Sequence, residues 1–178
     1  MYAKFNIKER RMLKIRHATL SDAKSIAIIN VTTWKNAYKG LLPDNFLANR
    51  NLSEKRIEYI ENQIKNKDDI CLVAELDNKI IGYCIGGIPR QYADIFCYEL
   101  RAFYVLPDYQ RSGVGKALFN KFKEITANKP FYLYTLKNNS KAIDFYIKNG
   151  GKIMPEYTQK LPHPDLEADE ILLAYNLK

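Results

Sequence analysis

Apolar residues along this chain recur in two rhythms, one in three- and four-residue steps and one in short unbroken runs, and the changes between them outline the elements. Residues 13–17 form a short alternating run that reads as a first strand. Thr19 follows as a helix cap with Asp22 three residues on, a capping box using Asp in place of Glu. Ala23, Ile26, Ala27, Asn30, Trp34 and Ala37 then mark one face of a helix, which Gly40 and Pro43 end. Ser53 caps a further helix to residue 65, with Ile57, Ile60 and Ile64 facing inward. Residues 70–76 and 79–88 are β-rich runs joined by Asp77-Asn78, a hairpin turn pair, so they are expected to lie antiparallel.

Residues 97–105 are rich in aromatic and β-branched types, and Leu106-Pro107 ends that strand because proline cannot donate to a ladder. Val114, Ala117, Leu118, Phe122 and Ile125 restore the helical spacing to residue 126, and residues 131–136 read as the next strand. A strand, helix, strand order implies a right-handed parallel crossover. A helix over 142–148, ended by Gly150-Gly151, and strands over 152–155 and 170–177 complete the pattern. The expected architecture is α/β of the α+β type, a mixed, mostly antiparallel sheet of about seven strands flanked by helices.

The junction between the strand at 97–105 and its following helix carries Gln110, Arg111, Ser112, Gly113, Val114 and Gly115. A helix's first turn offers unsatisfied backbone N–H groups and the positive end of its dipole, and two glycines let an anion approach them. A Walker A loop would need glycine at Gln110 and Ser or Thr at Ala117, and a dinucleotide fingerprint would need a small residue at Leu118, so neither applies. A tight turn without a ligand remains the alternative at this point.

Size and composition narrow the class. With 178 residues and 47% hydrophobic types, one domain over 13–178 is expected, preceded by a flexible, basic extension over 1–12. No apolar run is long enough to span a bilayer and no apolar signal centre is seen, so a cytoplasmic location without membrane association is expected. Cys71, Cys84 and Cys97 lie in apolar runs without metal-ligand spacing and are expected as buried free thiols, while His17 and His163 lack partners at ligand spacing; no metal is expected. The net charge of +8 attracts polyanions of any kind and does not choose among them; the N-terminal basic cluster is read as a solvated tail, so nucleic acid is not expected as a partner.

The loop Gln110 to Gly115 after a Val-x-Pro strand end, and the segment Asn139-Ser140-Lys141-Ala142-Ile143-Asp144-Phe145-Tyr146, together resemble the signatures of the GNAT superfamily of N-acetyltransferases. The likeness runs from Leu13 through nearly the whole chain, and Trp34 to Pro43 is similar to a bacterial subgroup that includes polyamine and small-amine acetyltransferases. One departure stands out: the family commonly follows the helix with Gly-Phe, whereas Gly150 here precedes Gly151.

The resemblance implies acetyl-CoA as co-substrate, direct transfer to an amine acceptor, and a GNAT fold; a homodimer is common in the family. Its pyrophosphate would be held by Gln110, Arg111, Ser112, Gly113, Val114 and Gly115, with Lys116 adding charge or staying solvated. The backbone of Phe103, Tyr104 and Val105 would meet the pantetheine arm where this strand splays from the next. Asn139 would contact the arm, although capping explains its type equally. Glu99 would be the base acting on the amine through water, or an ordinary strand carboxylate; Tyr146 would donate to the leaving thiolate, or be a packed aromatic. Trp34, Tyr38, Tyr92 and Asp94 would edge the acceptor groove. A non-catalytic acyl-CoA-binding module is the alternative that the same motifs allow.

Overall fold

A computed structural model describes residues 12–161, 163 and 166–177. The proposed N-terminal extension lies outside the described residues except for Met12, which is exposed. Seven strands form one sheet in the order β1-β2-β3-β4-β5-β7-β6. They are β1 (Leu13–His17), β2 (Asp69–Leu76), β3 (Lys79–Gly87), β4 (Tyr98–Val105), β5 (Phe131–Leu136), β6 (Lys152–Lys160) and β7 (Asp169–Tyr175). All neighbouring pairs are antiparallel except β4 and β5. Helices α1 (Ala23–Ala37) and α3 (Glu54–Lys65) cover one face; α4 (Val114–Ile125) and α5 (Ser140–Lys148) cover the other. Among the described residues, no helix is long and apolar enough to cross a membrane.

The local chemistry explains most boundaries. Asp77 and Asn78 both take the positive φ of a two-residue hairpin turn. The Ser53 side chain accepts from the Arg56 N–H at 3.3 Å, and the Asp22 carboxylate accepts from the Thr19 N–H at 2.8 Å. Two elements depart from the sequence expectation. A short helix α2 (Asp44–Ala48) follows Pro43, too brief to show a periodicity. Strand β6 continues beyond Pro155, because it is an edge strand and its pairing with β7 breaks between Met154 and Gln159, where a residue without an N–H costs nothing.

Two apolar clusters sandwich the sheet. Leu118, Phe119, Phe122, Phe131, Leu133 and Tyr175 fill the α4/α5 side; Ile26, Ile29, Ile60, Val73 and Tyr83 fill the α1/α3 side. A bulge at Arg101 sets which face each residue of β4 serves, since Ile85 pairs with Ala102 and Gly86 with Leu100. As a result Leu100 and Phe103 pack toward α4, whereas Ala102 and Tyr104 pack toward α1.

The Gly150-Gly151 departure has a packing reason. A Cβ on Gly151 would stand 2.7 Å from the Tyr175 hydroxyl and 2.9 Å from the Tyr146 carbonyl. That hydroxyl donates to the Tyr146 carbonyl at 3.0 Å, and the Tyr175 ring stacks on Phe131 at 4.4 Å. An aromatic from β7 thus occupies the space behind α5. Gly151→Ala is expected to cost roughly 1–3 kcal/mol by overpacking, read as a lower urea midpoint at unchanged m-value.

Candidate functional site

Strands β4 and β5 are paired only at Tyr98 with Phe131 and Glu99 with Tyr132, and then part into a fork. Arg101, Ala102, Phe103 and Tyr104 are half-exposed for that reason, although they lie in the middle of the sheet. Leu106 donates to the Ile81 carbonyl at 2.9 Å, and Tyr83 is opposite Tyr104, so the ladder's alternation turns the N–H and C=O of Tyr104 to β3 and those of Phe103 and Val105 to the fork. This corrects one expectation: the backbone of Tyr104 is committed to the sheet, and it is its side chain that reaches the site. The Val105 carbonyl is already taken by the Gln110 side-chain amide at 3.0 Å, which closes the end of the fork.

Below that closure lies the anion loop. Gln110, Arg111, Ser112 and Gly113 are exposed; Arg111 (φ 59°) and Gly113 (φ 90°) are left-handed, and Ser112 donates to the Tyr109 carbonyl at 2.7 Å. These turns aim the opening of α4 outward. Ala117 donates to the Gly113 carbonyl at 2.9 Å, whereas among the described residues the N–H groups of Gly113, Val114, Gly115 and Lys116 have no backbone acceptor. Val114 is buried and anchors the turn, and Gly115 packs beside Phe103 and Phe145. Exposed Lys116 adds charge at the rim. Four open amides at a helix N-terminus can hold a phosphate-sized anion.

Helix α5 brings Tyr146 to the same opening. Asn139 accepts from the Ala142 N–H at 3.3 Å, so the observed contact is the cap. The Tyr146 ring packs against Phe103, Phe119 and Phe145, and burial pushes its phenol well above the ordinary range, so the proton stays on it. The neighbouring Cys84 thiol is likewise pushed up by burial, and Cys71 to about 12, so neither supplies a thiolate at neutral pH. Cys97 is exposed, contrary to expectation, because it precedes β4 instead of lying in it.

On the α1 side, Trp34 and Tyr38 meet edge to face at 4.6 Å near Tyr104, whose phenol is raised by burial against the opposing influence of the Tyr38 and Trp34 side chains. Tyr38 also feels Tyr146 and Glu170, so residues from α1, β4, α5 and β7 converge here. Glu170 is half-buried, accepts among the described residues a single long 3.4 Å bond, from Gln159, and is held above the usual carboxylate range by desolvation. Tyr92 joins this wall indirectly, through its hydroxyl contact with Tyr134 at 3.2 Å. Asp94 is exposed on the turn that the Tyr92 carbonyl closes by accepting from Ile95 and Phe96, and among the described residues no hydrogen bond or ion pair joins it to the cluster.

Glu99, expected as a base acting through water or as an ordinary strand carboxylate, is buried and held by an arginine. It is 4% exposed, and Arg90 grips both oxygens through Nε and Nη2 while donating its backbone N–H at 3.1 Å. Although desolvation is the largest influence and acts upward, the three Arg90 interactions outweigh it and leave the carboxyl below its ordinary value. Stability from this group is therefore present above the ordinary glutamate range and lost as pH falls through the lowered folded value. Glu99→Gln is expected to cost about 1.5–3 kcal/mol at pH 7 in denaturant titration, with the difference shrinking in acid.

Sequence reasoning missed Glu170, Tyr134, Arg50 and Arg56. Glu170 stood in a strand read only as terminal, and the adjacency of β7 to β5 that brings it to the fork is a long-range fact. Among the described residues, no group of three His, Cys, Asp or Glu could hold a metal ion.

Comparison with known proteins adds a family match. A model described as the acetyltransferase (GNAT) family matches residues 34–150. The uncharacterized N-acetyltransferase YuaI of Bacillus subtilis is 27% identical over 138 residues, 76% of this chain and 78% of its own. A spermidine N(1)-acetyltransferase of Thermoplasma acidophilum is 26% identical over 148 residues, 79% of this chain and 89% of its own. Among solved structures, the PaiA N-acetyltransferase of Thermoplasma acidophilum in complex with coenzyme A superposes with a TM-score of 0.73 at 24% identity, covering 92% of this chain and 99% of that one. That last likeness is one of fold.

Proposed function

This chain belongs to the GNAT family of acetyltransferases, and from that premise we propose that it transfers the acetyl group of acetyl-CoA directly to a primary amine within a ternary complex. The observation that carries the reading is the fork: an unpaired β4 edge leads from the open amides of α4 to the Tyr146 phenol and the aromatic wall. The PaiA complex with coenzyme A supports the same choice of donor.

Acetyl-CoA supplies an acyl thioester, and the chain's residues do the rest. The amides of Gly113 to Lys116, with Arg111 and Lys116 at the rim, hold the pyrophosphate; the N–H groups of Phe103 and Val105 are free to bind the arm and to polarise the reacting carbonyl. An ammonium cannot attack, so a proton must leave the acceptor. Glu170 suits that task better than Glu99, because desolvation raises its pKa and makes it the more basic carboxylate, whereas Arg90 grips both oxygens of Glu99 and acts on Glu170 only as a smaller attraction. Tyr146 keeps its proton at neutral pH and can give it to the departing thiolate. The Glu99 and Arg90 pair then fixes the strand from which the fork opens.

Two measurements on the wild-type protein test this. Titration calorimetry is expected to show saturable acetyl-CoA binding, and a thiol-release assay with an amine panel is expected to show turnover. Absence of binding would overturn the reading, and binding without turnover would favour an acyl-CoA-binding module.

A further inference from the structure

Arg50, just beyond α2, and Arg56, on α3, converge on one neutral atom. Arg56 donates to the Asn30 side-chain oxygen at 3.0 Å and Arg50 to the same oxygen at 3.2 Å. The orientation of Asn30 is fixed, because its amide nitrogen donates to the Tyr83 hydroxyl at 2.7 Å. Arg16, Arg90 and Arg101 each hold a carboxylate. Among the described residues Arg50 and Arg56 hold none, and the Nε atom of each, like that of Arg101, is sealed from solvent without an acceptor. Two like charges sharing one amide oxygen are a costly arrangement for a purely structural staple, since they repel one another and a buried donor left unpaired has lost its water without replacement.

The pair also has an address. The Arg50 guanidinium lies over the Trp34 ring at 3.6 Å, and Trp34 is in turn a neighbour of Tyr38 and Tyr104 at the fork. The anionless arginines therefore stand behind the acceptor wall, on the α1 side, remote in the fold from the α4 amides that face the other side of the sheet.

We propose that Arg50 and Arg56 receive a carboxylate of the acceptor, so that the substrate is a small amine bearing an acid group, as in an amino acid, with its amine turned to the fork. This rests on the transferase reading and narrows it. A planar guanidinium held against an aromatic face presents a fork of N–H groups suited to a carboxylate. Two uncompensated cations would conversely repel a polyamine, whose chain carries further positive charge beyond the amine that reacts.

Matched amines that differ by one carboxylate test it: cadaverine against lysine, agmatine against arginine, tyramine against tyrosine. The acid-bearing member of at least one pair is expected to have a kcat/KM at least tenfold higher, through KM, and Arg50→Gln with Arg56→Gln is expected to erase that preference while acetyl-CoA affinity holds. A preference for the decarboxylated member in every pair, or a ratio untouched by the double variant, overturns the proposal without touching acetyl-CoA binding. A second readout needs no turnover. Trp34 is the only tryptophan, and malonate titration is expected to change its fluorescence saturably in the wild type and not in Arg56→Gln; no saturable change in the wild type counts against the site. Arg50→Lys, which keeps charge but loses the planar fork, is expected to retain part of the preference and guards against a variant that fails to fold.

Discussion

Tyr146→Phe is expected to lower kcat about 10²-fold or more, while the acetyl-CoA dissociation constant changes less than twofold. The substitution removes one oxygen and keeps the ring that packs against Phe103, Phe119 and Phe145. That hydroxyl makes no hydrogen bond among the described residues, and the residue as a whole is 8% exposed. Stability should therefore stay level or rise slightly, because no native bond is lost. If the phenol donates its proton to the thiolate, the loss falls on kcat and the pocket for the arm is unchanged. Equal turnover in the two proteins would return Tyr146 to the packing role that its burial alone explains.

The residues that were legible from the sequence are those whose constraints are local. Asp77-Asn78 has to turn, Ser53 has to cap, and Val114 to Ile125 carries its own stripe, so the elements around them follow from nearest neighbours along the chain. The loop from Gln110 to Gly115 is legible as a strand-to-helix junction for the same reason, being a run of consecutive residues that opens a helix. What could not be read depends on which strands meet. The bulge at Arg101 swaps the faces of β4, so a two-residue alternation counted along the sequence misassigns what lies on either side of it. Arg90 lies nine residues from Glu99 and neutralises it across a loop, and no spacing rule announces that. Asn30, Arg50, Arg56 and Tyr83 come from α1, the segment after α2, α3 and β3, so their cluster exists only once both layers have packed.

Glu170→Gln is expected to have opposite effects on rate and stability, and this separates it from Glu99. With its folded pKa raised by desolvation, the Glu170 carboxyl favours folding in its neutral form. Its stability contribution is fully present below the ordinary glutamate range and is lost as pH rises through the raised folded value, so at pH 7 the buried anion is a net cost. Glutamine is neutral at every pH, nearly isosteric, and able to keep the contact with Gln159. The variant should therefore melt higher than wild type at pH 7, with the gap closing in acid, whereas Glu99→Gln should melt lower at pH 7. Turnover moves the other way: without a carboxylate to take the amine proton, kcat/KM should fall roughly 10²–10⁴-fold. The wild-type rise of kcat/KM with pH should also lose its lower limb in the variant, because that limb reports a carboxyl which must be deprotonated to accept. A Glu170→Gln protein that keeps both the rate and the limb would leave water as the proton acceptor, and the raised pKa would then be a consequence of burial alone.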